Sequence, residues 1–94
     1  MKKYFLSEKE IEKLFQKAFS ILYSKGYERA KKYFDQAFAH DPYSIGIHYQ
    51  LAIYFAQQRN EELFLHHLMI CYAIDFKYLD IALQNPSITN YIDI

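Results

Sequence analysis

Ninety-four residues, a formal net charge of zero and a single cysteine set the first bounds. The length fits one domain with a modest core. Lone Cys71 excludes an internal disulfide framework, and the charge balance excludes a strongly basic nucleic-acid binder.

The chain starts Met1-Lys2-Lys3-Tyr4-Phe5-Leu6, which opens like a secretory leader, but Ser7-Glu8-Lys9-Glu10 interrupts it at once. The apolar run is too short for a leader's hydrophobic segment. No later stretch is long enough without charge to span a membrane. A cytoplasmic protein with no membrane attachment is therefore expected.

Ser7 with Glu10 three residues on is a capping-box signature. It predicts a first helix from about Ser7 to Lys25, with Leu14, Phe15, Ala18, Phe19, Ile21 and Leu22 forming its apolar face. Gly26 stops that helix, because glycine accepts backbone angles that other residues avoid. A second helix follows from about Tyr27 to His40, with Ala30, Tyr33, Phe34, Ala37 and Phe38 inward. Asp41-Pro42 ends it, since proline disfavours helix at the residue before it.

The third predicted helix spans about Ser44 to Gln58 and is apolar on more than one side, as a helix with several neighbours is. Arg59-Asn60 forms the next turn. A fourth helix runs from about Glu61 to Ile74, and a short fifth from about Lys77 to Gln84. Asn85-Pro86 then reads as the cap and first residue of a last short helix, Ser87 to Ile92. With two Gly, two Pro and no alternating strand pattern, the expected class is all-α.

Residues 11–41 are echoed by residues 45–75 at a constant offset of 34. Ile11 returns as Ile45, Gln16 as Gln50, Ala18 as Ala52, Glu28 as Glu62, Ala39 as Ala73 and Asp41 as Asp75. Asn60 takes the place of Gly26. The offset is the period of a helix-turn-helix repeat. In the first helix of each copy, Leu14, Ala18 and Ile21 correspond to His48, Ala52 and Phe55. In the second helix, Ala30, Phe34 and Ala37 correspond to Phe64, Leu68 and Cys71.

This pattern resembles the tetratricopeptide repeat over residues 11–76. Phe64 stands where the family has a small residue at the helix crossing, and Phe76 stands where it has proline. The Trp and the Leu-Gly pair of the family's first helix are absent. The resemblance implies an α-solenoid of antiparallel hairpins in a single domain: repeat 1 over 7–42, repeat 2 over 43–76, and capping helices over 77–94. Two repeats fall below the usual three for independent stability, so capping helices or a partner must complete the stack.

The resemblance also implies a concave groove lined by the first helix of each repeat. Its partner-binding positions are Phe15, Phe19 and Tyr23, then Tyr49, Ile53 and Ala56. Family members that grip a C-terminal carboxylate do so with Lys and Asn from this groove. Phe15, Phe19, Tyr49 and Ile53 have no such groups, which excludes that clamp here. An aromatic groove suits the apolar face of an amphipathic helix. The competing reading is that the chain's own C-terminal helix, or a second copy, covers these rings.

Other chemistries have less behind them. His67 and Cys71 lie one helical turn apart and could supply two metal ligands, but nothing nearby in sequence supplies a third. Cys71 occupies a core position of the repeat, where a thiol packs as a small hydrophobe, and His66 is expected to face outward. Glu61 and Glu62 lie in the first turn of a helix, where carboxylates favour the dipole. No phosphate loop or nucleophile–base pairing is present.

The expectation is therefore a non-enzymatic protein-interaction module with no cofactor and no metal: a scaffold, adaptor or small chaperone. Two alternatives are kept. Residues 1–34 carry a net +5 and residues 35–94 a net −5, so head-to-tail self-assembly into a homo-oligomer is one. RNA binding through the basic half is the other.

Overall fold

The computed structural model describes residues 6–92, without the side chains at 79, 91 and 92. Residues 1–5, where the leader-like opening falls, and residues 93–94 lie outside the described residues. Among the described residues there are six helices and no strand: α1 (Glu8–Lys25), α2 (Tyr27–His40), α3 (Ile45–Gln57), α4 (Glu61–Ile74), α5 (Lys77–Leu83) and α6 (Pro86–Ile92). They divide into two compact units, Met1–Pro42 and Tyr43–Ile94.

In the first unit, α1 and α2 form a hairpin. Ser7 starts it: its Oγ accepts the Glu10 N–H at 3.2 Å, and Glu10 Oε1 accepts the Ser7 N–H at 2.9 Å. The backbone bond from Ser7 holds the Glu10 carboxyl below its ordinary range. The chain reverses at Gly26, whose φ of 96° and ψ of 169° lie in territory that only glycine enters freely. Gly26 also donates its N–H to the Leu22 carbonyl and accepts the Ala30 N–H, so it closes α1 and opens α2 together.

Small residues let the two helices approach: Ala18, Ala30 and Ala37 are fully buried. Rings fill the rest. Phe15 meets Phe38 edge-on at 5.2 Å, and Phe19 meets Phe34 edge-on at 4.9 Å. Such pairs add about 0.5–1.5 kcal/mol each beyond the area they bury.

In the second unit, α3 and α4 form the larger hairpin. Asn60, in the turn at the place of Gly26, caps α4 by accepting the Leu63 N–H at 3.2 Å. Arg59 takes the positive φ instead, at 58°. Both ends of α4 lie 34 residues beyond the ends of α2, and the inward positions recur with them. Ala30, Phe34 and Ala37 are buried in α2; Phe64, Leu68 and Cys71 are buried in α4. The bulkier Phe64 is fully accommodated inside the second hairpin.

The short helices close this unit. α6 packs on α3, while α5 packs on α4 and α6. Ala82 of α5 and Ile88 of α6 are both inaccessible to solvent. Asn85 joins them with one side chain. Its Oδ1 accepts the Ser87 N–H at 2.9 Å to cap α6, and its Nδ2 donates to the Tyr49 hydroxyl at 3.1 Å.

Candidate functional site

The six positions expected to face a groove fall into different environments. On α1, Phe15 is buried, Phe19 is half-buried and Tyr23 is 67% exposed. Successive spacing of four places them in one row, and the Phe19 and Tyr23 rings stack at 6.2 Å. The row thus rises out of the hairpin toward the C-terminal end of α1, with Tyr23 as its exposed tip. Phe19 is pinned from below by Phe34. Nearby on the same hairpin, Lys17 and Lys32 place their ammonium groups 4.7 Å and 5.1 Å from the Tyr33 ring centre.

On α3, Ala56 is buried, and Tyr49 and Ile53 are half-buried. Tyr49 is occupied from within the chain. Tyr78 of α5 meets its ring edge-on at 5.5 Å, and Asn85 donates to its hydroxyl. Gln57 of α3 reaches Ser87 of α6 at 3.3 Å. The C-terminal helices therefore cover part of the face that the second repeat was expected to offer.

Inside the second unit lies a feature that the sequence reading missed. His48 and His67 are each only 5% exposed, and their Nδ1 atoms are 2.9 Å apart across α3 and α4. At that distance one ring nitrogen donates and the other accepts. Phe55 stacks on His67 with rings 5.8 Å apart and nearly parallel, and His66 meets it edge-on. Burial, with the neighbouring His48 and His66 adding to it, pushes the His67 pKa down to about 3. The signal was present in the repeat: His48 stands at the large apolar position of its helix, and His67 lies on the same turn as the inward Phe64 and Leu68.

One turn below His67, Cys71 is fully buried, and its Sγ approaches the Ile45 carbonyl at 3.5 Å. Burial raises its pKa to about 11, so it is a thiol at neutral pH and a poor nucleophile. His66 is exposed. Among the described residues, no three of His, Cys, Asp and Glu converge as metal ligands, and no helix is long and apolar enough to cross a membrane. Comparison with known proteins adds no assignment: no family model matches the chain, and no curated protein or solved structure matches it.

The outer side of α4 also carries apolar side chains. Leu65, Met69 and Tyr72, at spacings of four and three, are 45%, 59% and 43% exposed, and Phe76 just beyond the helix is 71% exposed.

Proposed function

We infer that the chain is a recognition module of tetratricopeptide-like helical hairpins that holds an amphipathic helix or apolar peptide of another protein and performs no chemistry. The α-solenoid arrangement belongs to this proposal. Its support is the 34-residue offset, which recurs in the bounds of α2 and α4 and in their buried positions.

The observation that carries the binding reading is the Phe15–Phe19–Tyr23 row. A Tyr ring exposed at its tip and stacked on a fixed Phe offers contact area at small entropic cost, because few torsions remain to be ordered. The matching α3 positions contribute less free surface, since α5 and α6 cover Tyr49. The partner's apolar face would therefore rest on α1. The RNA reading has only the basic composition of residues 1–34 behind it.

The chain has no Trp, so a Trp-labelled amphipathic peptide reports binding by its own fluorescence. Tyr23→Ala is expected to weaken the complex roughly tenfold, an ordinary loss for an aromatic anchor, while Tyr23→Phe retains it. Equal affinity for wild type and Tyr23→Ala, both fully helical, would contradict the proposal.

A further inference from the structure

Helix α4 has no Asp, Glu, Lys or Arg between Leu63 and Ile74. Its inner side is buried through Phe64, His67, Leu68 and Cys71. A helix with so few polar side chains is normally covered over most of its surface, yet Leu65, Met69 and Tyr72 stand open to solvent along one stripe. We propose that this stripe, extended by Phe76, is the interface through which two copies of the chain form a twofold-symmetric dimer. This surface is distinct from the α1 row, so the proposal does not rest on peptide binding there.

Two observations favour a second copy as the occupant. The first is area. A standard interface buries about 800 Å² per partner, somewhat over half of it apolar. Leu65, Met69, Tyr72 and Phe76, each near half exposure or above, leave roughly 400 Å² of side chain open by the usual sizes of such residues. That is close to the apolar share a stable dimer needs.

The second is self-complementarity. A twofold contact places the same surface on both sides, so a charged stripe would repel its own image. This stripe has no charge to repel.

With the twofold axis perpendicular to α4, the helix lies antiparallel to its image. Leu65 of one copy then meets Tyr72 of the other, and Met69, near the middle, meets its own counterpart. The antiparallel dipoles are also complementary.

Sedimentation equilibrium over a concentration series tests the proposal, with helicity followed by circular dichroism. Wild type is expected to be dimeric at micromolar concentration. Met69→Lys and Met69→Glu alone should each weaken dimerisation roughly tenfold or more, as a charge facing its own copy does. Tyr72→Glu, a second position on the stripe, should do the same. An equimolar mixture of Met69→Lys and Met69→Glu should restore the dimer, because opposite charges then meet at the axis.

Wild type that stays monomeric at high concentration would overturn the proposal and leave the stripe to a partner of another kind. Dimers that persist in the charged variants, or a mixture that stays monomeric, would overturn it equally. Binding of the Trp-labelled peptide by Met69→Lys is expected to match wild type, which separates failure here from failure at α1.

Discussion

Two glycines in this chain invite the same substitution with opposite outcomes. Gly26 sits at φ 96° and ψ 169°, and a methyl group there would meet no atom within 4 Å. Space is therefore not the obstacle. The backbone conformation is, because a side chain in that region costs about 1–3 kcal/mol. Gly46 lies in the first turn of α3, also with nothing within 4 Å of an added methyl, and has no positive φ. Alanine there restricts the unfolded chain without straining the folded one, a gain of about 0.5 kcal/mol. Thermal unfolding of Gly26→Ala and Gly46→Ala should show a fall in Tm for the first and a small rise for the second. A rise for Gly26→Ala would mean that the turn between α1 and α2 is not formed as described.

Between elements, burial of His67 beside His48 makes the α3–α4 hairpin sensitive to acid. In the unfolded chain His67 takes up a proton near pH 6.5; in the fold it does so only near 3. Across that window the unfolded state binds more protons, so stability falls as pH falls. The loss starts below about 6.5 and is complete near 3. Between pH 7.5 and 5 it amounts to about 2 kcal/mol from this group. Chemical denaturation of wild type and of His48→Leu/His67→Leu at both pH values checks this. The apolar pair should flatten the pH dependence, since replacing both partners leaves no buried group without its mate. An unchanged slope in the double variant would assign the acid sensitivity elsewhere.

Much of this element level was legible in the sequence, for identifiable reasons. Ser7 with Glu10, Gly26, Asp41-Pro42, Asn60 and Asn85-Pro86 are local signals whose effect does not depend on distant residues, and the helix ends fall at or within a residue of them. What escaped was pairing across elements. His48 and His67 are 19 residues apart, and neither helix pattern distinguishes a buried histidine from an apolar residue until the two faces meet. The cover that Tyr78 and Asn85 place over Tyr49 was foreseen only as one of two readings, because no periodicity says where a short terminal helix docks. The open stripe on α4 escaped similarly: the repeat pattern marks which positions of α4 face inward, and it does not say how far the opposite side is covered.

For the whole molecule, the claim to be tested is that a duplicated hairpin pattern serves recognition, with the α1 row as its contact. The first unit carries that row and most of the basic residues; the second carries the histidine pair and the closing helices. Binding and acid sensitivity are thus assigned to different parts of one chain. An amide-resolved NMR titration with the amphipathic peptide is the most direct test. The account predicts the largest shifts on α1 from Phe19 to Tyr23, with Tyr78 and Asn85 unmoved. Shifts centred on residues 78–85 while α1 stays still, or none anywhere at saturating peptide, would contradict it.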